Sequence, residues 1–329
     1  MSGSSFTKFQ LNQALIKSLS SLGYHHPTPI QNQCLQPIME GADVVSQGKT
    51  GSGKTVAFAL GLLSRLNPQT VKPQALILCP TRELSEQVAQ EIRALARFIP
   101  NVKVLTLCGG HPMFPQTNSL RHGAHCIVGT PGRVQDHLDR KNLDLKHVKT
   151  FILDEADRML DMGFRQSIDD IARVIPKPRQ TLLFSATYPQ NIHQLSSALQ
   201  RNAKHIKADV EHHQESIKET FYQVAPDRKN SLLMDLLNHH KPESTIIFCN
   251  TKSSCQELTD YLRSQNITAL AIHGDLEQWQ REEVLTLFSN KSCSILVATD
   301  VAARGIDIEN LSAVINYHLS SDPQVHTHR

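Results

Sequence analysis

The sequence predicts two tandem α/β domains, each built on a doubly wound parallel sheet. Short apolar runs without strict alternation recur along the chain, and each leads through a turn to a segment with apolar residues at helical spacing. A polar segment rich in His, Glu and Gln interrupts this pattern beyond the middle of the chain. The length of 329 residues also exceeds what one ordinary hydrophobic core holds. We therefore expect two domains joined by a linker.

The apolar runs and the turn residues place the elements in order. The predicted strands of the first half are 75–79, 102–107, 125–128, 151–153 and 181–184, with a predicted helix over 84–98. The predicted strands of the second half are 245–248, 269–273, 295–298 and 313–316, with predicted helices over 257–263 and 280–288. Helices between strands are the crossovers that parallel pairing needs. The predicted domains are residues 1–207 and 219–329, and residues 208–218 form the predicted linker.

Composition argues against several classes of protein. The chain is 40% hydrophobic and 20% charged, and the apolar stretch over 56–63 is far shorter than the roughly 18 residues of a membrane span. The first five residues lack the basic region and apolar core of a signal peptide. Seven scattered cysteines without a Cys-x-x-Cys pair argue against a disulfide framework or a zinc site and predict the reducing cytoplasm. The net charge of +3 predicts that any surface for nucleic acid is local.

One glycine-rich segment has the spacing of a phosphate-binding loop. It consists of Gly48, Lys49, Thr50, Gly51, Ser52, Gly53, Lys54 and Thr55. Glycines let the backbone approach phosphate oxygens and adopt positive φ angles. Lys54 can reach the β and γ phosphates, the Thr55 hydroxyl can ligate Mg²⁺, and the following helix adds the positive end of its dipole. The alternative is a Gly/Ser-rich turn that only precedes a helix.

Two adjacent carboxylates follow the predicted strand at 151–153. Asp154 and Glu155 would then lie at the edge of a parallel sheet where ligands bind. Asp154 is the candidate to hold Mg²⁺, and Glu155 is the candidate to orient or deprotonate an attacking water. The alternative is a helix N-terminus with acidic residues in its first turn. The phosphate-binding loop upstream favours the nucleotide site over that alternative.

A proline-containing segment at 23–31 precedes the phosphate-binding loop and ends in Gln31. A glutamine amide can donate to adenine and accept from it at once, which discriminates adenine from guanine. Phe6, further upstream, could stack on the base. The alternative is a turn that carries a polar residue.

Taken together, these segments resemble the motifs of the DEAD-box RNA helicases, in the family's order and over nearly the whole chain. The matching segments are Phe6 with 23–31 (the adenine-reading Q motif), 48–55 (motif I, with Gly48 where alanine is usual), 80–84, 109–110, 130–133, 154–157, 185–187, 247–251, Gln278 with Arg281, and 299–300 with 303–307. The resemblance implies two RecA-like domains, ATP with Mg²⁺ as cofactors, and RNA-stimulated hydrolysis that unwinds short duplexes. Stretches 74–110 and 273–278 are most similar to the bacterial DbpA branch, which implies ribosomal RNA and assembly of the large ribosomal subunit.

The resemblance also assigns RNA contacts to both domains. The residues are Thr81, Arg82, Gly110, Thr130, Gly132 and Arg133 in the first, and Gln278, Arg281 and Thr299 in the second. It implies that Ser185 and Thr187 link the nucleotide site to the RNA site, and that Asp307 contacts the ribose. Hydroxyls, backbone N–H groups and a few arginines suit a sugar-phosphate backbone, which carries no base identity. The alternatives are turns at 109–110 and 130–132, a small-residue strand end at 185–187 and a helix cap at Asp307.

The end of the sequence departs from the resemblance. Motif VI of the family begins with His-Arg, and the sequence reaches His328-Arg329 without the two later arginines that act as fingers on the γ-phosphate. An arginine finger contributes about 10³–10⁵ in rate to phosphoryl transfer. We therefore expect an incomplete second domain and a polypeptide that hydrolyses ATP poorly. We also expect a monomer. The alternatives are an ATP-gated RNA clamp without productive unwinding, and a DNA-directed helicase or another P-loop ATPase.

Overall fold

A computed structural model describes residues 5–48, 51–207, 218–300 and 311–320. The chain divides into two compact units, Met1–Glu211 and His212–Arg329. The division falls inside the segment predicted to be the linker, most of which lies outside the described residues, so the linker's limits stay a prediction. Within the described ranges, no helix has both the length and the hydrophobicity to cross a membrane.

Seven parallel strands form the sheet of the first unit, as far as the described residues show. They are β1 (Val44–Gln47), β2 (Ala75–Leu78), β3 (Val104–Leu107), β4 (Cys126–Gly129), β5 (Thr150–Leu153), β6 (Gln180–Ser185) and β7 (Lys204–Lys207). Their order across the sheet is β3-β4-β2-β5-β6-β1-β7. Because every pair is parallel, all seven carboxyl ends lie at one edge and all amino ends at the other.

Helices cover both faces of this sheet. They are α1 (Gln13–Ser21), α2 (Pro29–Met39), α3 (Lys54–Arg65), α4 (Arg82–Leu95), α5 (Met113–Arg121), α6 (Pro131–Asp139), α7 (Ala156–Asp161), α8 (Arg165–Val174) and α9 (Gln190–Leu199). Two apolar clusters result, one on each face, around Phe58 with Phe184 and around Phe151 with Met159. Strands β2, β4 and β5 are buried along their whole length, which explains their continuous apolar runs.

Several helices begin at side-chain caps that the sequence supplies. The Thr28 and Thr81 hydroxyls accept from the backbone N–H groups of Gln31 and Leu84, and Asn12 does the same for Leu15. Thr28 and Gln31 form a reciprocal capping box. These caps fix where α1, α2 and α4 start, and therefore where the loops before them face.

The second unit has a parallel sheet of four strands within the described residues. They are β8 (Thr245–Cys249), β9 (Ala269–Ile272), β10 (Ile295–Thr299) and β11 (Ala313–Asn316), in the order β11-β8-β10-β9. Its helices are α10 (Lys229–His240), α11 (Lys252–Ser264) and α12 (Gln278–Ser289). Leu258 and Leu262 of α11 pack on one face of the sheet, and Phe288 of α12 packs on the other. The arrangement confirms two parallel-sheet α/β domains.

The nine predicted strands are confirmed, with limits shifted by up to two residues. The helices are longer or displaced: the one expected over 84–98 spans Arg82–Leu95, and the one expected over 257–263 spans Lys252–Ser264. Threonine caps at 81 and 251 explain the earlier starts. Strands β1 and β7 were not predicted. Strand β7 reads Lys-His-Ile-Lys and is mostly exposed at the sheet edge, so it lacks an apolar run.

Candidate active site

Three neighbouring strands bring the predicted nucleotide residues to one edge of the first sheet. Strand β6 lies between β5 and β1. Gly48 follows β1, Asp154 follows β5, and Ser185 ends β6. The Gly48 backbone N–H donates to the Ser185 carbonyl oxygen at 3.0 Å. The fold therefore unites segments that are far apart in sequence.

The described part of the phosphate-binding loop has the backbone that the glycine pattern predicts. Gly51 and Gly53 have φ angles of 77° and 86°, in the left-handed region that favours glycine. Helix α3 begins at Lys54, which is buried and donates through Nζ to the Gly48 carbonyl. Ser52 and Thr55 are half-buried at the start of this helix. Lys49 and Thr50 lie outside the described residues.

Gly48 stands where the resembled family usually has alanine, and a methyl group at this position would require the Ile30 side chain to shift. A Cβ atom at this position would lie 2.6 Å from Ile30 Cδ1 and 3.2 Å from Ser52 Oγ. Ile30 is a fully buried residue of α2. The Ile30 side chain thus occupies the space that an alanine methyl would need.

Gln31 lies directly against the phosphate-binding loop. Its Nε2 donates to the Gly53 carbonyl at 3.1 Å, and its Oε1 accepts from the Thr28 backbone N–H at 2.9 Å. The Thr28 hydroxyl donates to the Ser52 carbonyl at 2.8 Å. Each end of the amide makes one hydrogen bond within the protein, which leaves one N–H and one oxygen lone pair of the amide for adenine. The adenine-reading role stays a prediction.

Phe6 lies in a short 3₁₀ helix, Phe6–Phe9, and is only 3% exposed. Its ring packs at 6.5 Å from that of Phe9, in the apolar cluster with α1, α2 and α3. The structure places Phe6 in the core, with little exposed surface. Its stacking on a base also stays a prediction.

The two carboxylates after β5 are buried together with Lys54. Asp154 is 3% exposed and Glu155 is 6% exposed. Burial raises the pKa of Asp154 to about 7, although Lys54 opposes this shift. Burial also raises the pKa of Glu155, and Arg158 and Lys54 oppose it. Lys54 and Arg158 thus compensate only part of the cost of burying two adjacent carboxylates, and such perturbed groups are typical of functional sites.

Glu155 occupies the N-cap position of α7, as the structural alternative required, but its side chain does not cap the helix. Its backbone is left-handed, with φ of 51°, and its Oε2 accepts from Arg158 Nη1 at 3.0 Å. Both members of this pair are about nine-tenths buried. A left-handed non-glycine residue costs of order 1–3 kcal/mol and clusters at functional sites. The geometry therefore favours the functional role of Glu155.

Asp157 lies in the predicted motif at 154–157, but no role was predicted for it from the sequence. Its Oδ2 accepts from the backbone N–H groups of Ala186 and Thr187, at 3.1 and 2.9 Å, and from the Thr187 hydroxyl at 2.9 Å. Asp157 thus joins the carboxylate segment after β5 to the segment after β6. A third carboxylate two positions after Glu155 was the only sequence sign of it.

Ser185 and Thr187 were predicted to link the nucleotide site to the RNA site, and the structure gives them different surroundings. Thr187 bonds to Asp157, whereas the Ser185 Oγ is fully buried and has no hydrogen-bond partner. The Ser185 backbone instead contacts Gly48. An unpartnered buried hydroxyl is costly and is expected to gain a partner in another state.

The predicted RNA residues of the first unit follow β2, β3 and β4, which are neighbours at the same carboxyl edge. Thr81 caps α4, and Arg82 begins it. The Arg82 guanidinium lies 3.4 Å from where a Cβ of Gly109 would be, next to Gly110 with φ of 80°. Residues 109–110 therefore form the turn that was the alternative, and the Arg82 guanidinium packs against this turn.

Residues 130–133 form the start of α6, not the turn that was the alternative. Thr130 is the N-cap without a side-chain cap bond, and Pro131 is the first helical residue. A Cβ at Gly132 would meet no atom within 4 Å. Arg133 Nη1 donates to the His111 carbonyl at 3.0 Å, which ties α6 to the segment after β3.

The predicted RNA residues of the second unit also share a sheet edge. Thr299 ends β10, and α12, with Gln278 and Arg281, follows the adjacent strand β9. Gln278 is buried and donates through Nε2 to Glu282 at 3.0 Å. Asp307 and the rest of 303–307 lie outside the described residues.

Comparison with known protein families decides the membership of the chain. The DEAD/DEAH box helicase family matches residues 28–195, and the helicase conserved C-terminal domain matches residues 228–329. The chain belongs to the DEAD/DEAH box helicase family. It is an ATP-dependent RNA helicase of the DEAD-box type. The first matched region contains strands β1 to β6, and the second contains β8 to β11.

Two curated relatives show the extent of the similarity. The ATP-dependent RNA helicase DbpA of Escherichia coli is 50% identical over 97% of this chain and 70% of its own length. The ATP-dependent RNA helicase DeaD of Buchnera aphidicola is 41% identical over 99% of this chain and 54% of its own length. The chain thus spans about seven-tenths of the first relative and about half of the second.

Solved structures of the family share the fold. Yeast Dbp5 bound to RNA and ADP BeF3 has a TM-score of 0.86 at 30% identity, and the match covers 99% of this chain and 85% of that one. A DEAD box protein of Methanococcus jannaschii has a TM-score of 0.61 at 40% identity, covering 99% of this chain and 88% of that one. These matches confirm the RecA-like fold predicted from the resemblance.

Proposed function

We propose that the chain binds ATP with Mg²⁺ at the carboxyl edge of its first sheet and uses hydrolysis to separate short RNA duplexes. We place this activity in the assembly of the large ribosomal subunit, by a monomer in the cytoplasm. The observation that carries the proposal is the buried group of Lys54, Asp154 and Glu155, which Asp157 connects to Thr187. The 50% identity to a helicase named DbpA supports the branch.

The donor set of this edge fits a Mg²⁺–nucleotide complex. Magnesium prefers oxygen ligands and is usually held by one or two carboxylates together with phosphates. Asp154 and the Thr55 hydroxyl would supply the protein oxygens. When bound, the ion would neutralise phosphate charge, and Lys54 would turn from the Gly48 carbonyl toward the phosphates. Among the described residues no cluster of three His, Cys, Asp or Glu side chains could hold a metal without phosphates.

Glu155 would act as the base in hydrolysis. Its carboxylate would orient a water and accept a proton from it as the water's oxygen attacks the γ-phosphorus. The bond between the γ-phosphorus and the bridging oxygen would break, so that ADP leaves with that oxygen and phosphate is released. The ion pair with Arg158 at 3.0 Å fixes the direction of this carboxylate and opposes the effect of burial on its pKa. Arg158 is thus a positioning residue.

The RNA residues would hold the sugar-phosphate backbone without reading bases. In the first unit these are Thr81, Arg82, Gly110, Thr130, Gly132 and Arg133, and in the second Gln278, Arg281 and Thr299. Arg82 and Arg133 supply the positive charge at the starts of α4, which Thr81 caps, and of α6, which has no side-chain cap bond. The hydrogen bonds between Asp157 and Thr187 would couple the nucleotide site to the RNA residues of this edge.

Steady-state ATPase assays with RNA, with DNA and without nucleic acid test the proposal. RNA-specific stimulation and unwinding of a short duplex are the expected results. Glu155→Gln, which keeps the shape of the side chain, is the control that should bind ATP and RNA without turnover. Stimulation without strand separation would favour the clamp, and equal stimulation by DNA would overturn the assignment to RNA. The comparison is made with a polypeptide ending at Arg329 and with one extended through motif VI.

A further inference from the structure

The amino edge of the first sheet is the face opposite the nucleotide. Residues at the starts of five adjacent strands, four just before their strand and Gln180 as the first residue of β6, are joined there in a row of backbone hydrogen bonds. The backbone N–H of His125 donates to the carbonyl of Lys103 at 2.9 Å, and the N–H of Gln74 donates to the carbonyl of His125 at 2.8 Å. The N–H of Lys149 donates to the carbonyl of Gln74, and the N–H of Gln180 donates to the carbonyl of Lys149, both at 2.8 Å. These five positions are therefore side by side, although they span residues 74 to 180 of the sequence.

Six exposed cationic side chains belong to this edge. We call them the amino-edge cations: Lys72, Lys103, Arg121, Lys146, Lys149 and Lys177. They precede β2, β3, β4, β5 and β6, which are neighbours in the sheet. Within the described part of the chain, none of the six side chains has a carboxylate partner, in contrast to Arg165 and Arg173 of α8.

The amino-edge cations form a band of defined width. Five adjacent strands have four spacings of about 4.8 Å, so the band extends over about 19 Å. Only Arg121 ends a helix, where the helix dipole alone would account for a cation. The other five lie in the turns that lead into strands, and no helix end explains them.

A cavity of about 250 Å³ opens within this band. Lys72, Arg121 and His122 line it, with the apolar side chains of Val71 and Leu143. Asp144 also lines it, and its Oδ1 accepts from the Lys146 backbone N–H at 2.9 Å. Three nitrogen-bearing side chains around one concavity provide a place for a phosphate group.

The other carboxylates near this edge are already engaged. Asp43, before β1, is buried and accepts from the backbone N–H groups of Thr181 and Arg201, each at 2.7 Å. Glu40 lies 3.7 Å from Lys204, beside β7. These acids lie at the β1 and β7 side of the edge, whereas Asp144 is an exposed carboxylate among the amino-edge cations.

We propose that the amino-edge cations bind the phosphate backbone of the RNA on which the helicase acts, at a second site beyond the strand held at the carboxyl edge. The inference rests on the proposed function for the identity of the polyanion. Lysine is depleted at protein–protein interfaces and is a common phosphate ligand, which favours RNA over an acidic protein. Lysines act as point charges, so this second site has no sequence preference.

The two edges are separated by the height of the domain. Helix α4 has 14 residues and connects them, which corresponds to about 21 Å. A short strand bound at the carboxyl edge therefore does not reach the amino edge, whereas a long or folded RNA does. The second site would hold the flanking RNA while the short segment at the first site is processed.

The double variant Lys103→Gln with Lys149→Gln tests this site, because these residues lie in the hydrogen-bonded row. The matched control is Lys17→Gln with Lys241→Gln, which removes the same charge from exposed positions elsewhere. Affinities for a short single strand and for a long folded RNA are measured over a series of salt concentrations. We expect the test variant to bind the long RNA about 3–30-fold more weakly at low salt, with a salt slope reduced by about 1.5.

The short strand separates this proposal from the proposed function. Its affinity, and the ATPase rate at saturating short RNA, should be the same in the wild type and both variants. Unchanged long-RNA binding by the test variant, or an equal loss in the control variant, would overturn the second site. A failure of the wild type to bind the short strand would instead count against the proposed function. Stronger binding of an acidic peptide than of long RNA, lost in the test variant, would assign the edge to a protein partner.

Discussion

The two edges of the seven-stranded sheet carry charge in opposite ways. At the carboxyl edge Lys54, Asp154 and Glu155 are buried, and hydrogen bonds fix them. At the amino edge the cations are exposed and without carboxylate partners. Buried charges in a low dielectric interact strongly with one bound group held in one geometry, and catalysis of hydrolysis requires such a fixed arrangement. Exposed charges attract a bound group weakly and in many geometries, which suits a phosphate backbone that is held without sequence preference.

The strongest test of the comparison is the base at the carboxyl edge. We expect Glu155→Gln to lower the RNA-stimulated ATPase rate by about 10²–10⁴, because it removes the proton acceptor but keeps the size of the side chain. A labelled ATP analogue measures binding, which should be retained. The double variant of the amino edge is the control, with an unchanged rate at saturating short RNA. A retained rate in Glu155→Gln would remove Glu155 from the reaction.

The next test concerns the connection through Asp157. Asp157→Ala removes the acceptor of the three hydrogen bonds from Ala186 and Thr187 and of a fourth from the Arg158 backbone N–H. We expect it to lower the free energy of unfolding of the first unit by about 3 kcal/mol. Denaturant titration measures this loss. Thr187→Val removes only one of the three bonds and should cost about 1 kcal/mol. In Thr187→Val we also expect ATPase to depend less on RNA. Full RNA stimulation would show that the hydroxyl carries no coupling.

The raised pKa of Asp154 predicts a pH-dependent stability without metal. The folded state holds this proton up to a pKa of about 7, whereas the unfolded state releases it near the ordinary value of 3.8. The folded state therefore binds more protons between these values, and its stability falls as pH rises through that window. Asp154→Asn lacks this effect and should gain about 2–3 kcal/mol over the wild type between pH 5 and pH 8.

Thermal unfolding in the presence of a chelator measures this difference. Thr55→Val is the control at the same site, since it removes no titrating group. A difference between Asp154→Asn and the wild type that stays constant with pH would contradict the assigned shift. Added Mg²⁺–ATP should remove the disadvantage of the wild type at high pH, because the bound complex compensates the Asp154 charge.

The smallest effect is expected from the substitution of one arginine that is predicted to bind RNA. Arg82→Gln should weaken binding of a short RNA a few-fold and reduce the salt slope by about 0.7, the share of one phosphate contact. Arg97→Gln, an exposed arginine beside Phe98 near the other edge, is the matched control and should leave short-RNA binding unchanged. If Arg97→Gln changes short-RNA binding as much as Arg82→Gln does, the two edges do not differ for short strands.

The fold and the nucleotide edge could be predicted because their requirements are local. Strand β2 is a continuous buried apolar run, and Gly51 and Gly53 stand where positive φ angles are needed. Asp157 could not be given a role in this way, since its partners follow a different strand. Strand β7 could not be found because three of its four residues are exposed to solvent and its sequence has no apolar run.

The sequence by itself determined the two α/β domains, the phosphate-binding loop, the carboxylate pair and the order of the motifs, because each rests on nearest-neighbour spacing or composition. The tertiary structure decided which segments meet. The strand order β3-β4-β2-β5-β6 joins Asp157 to Thr187 and also places Lys103 and Lys149 in one row. Strand order depends on how crossover helices pack on the sheet, and no local pattern of residues contains it.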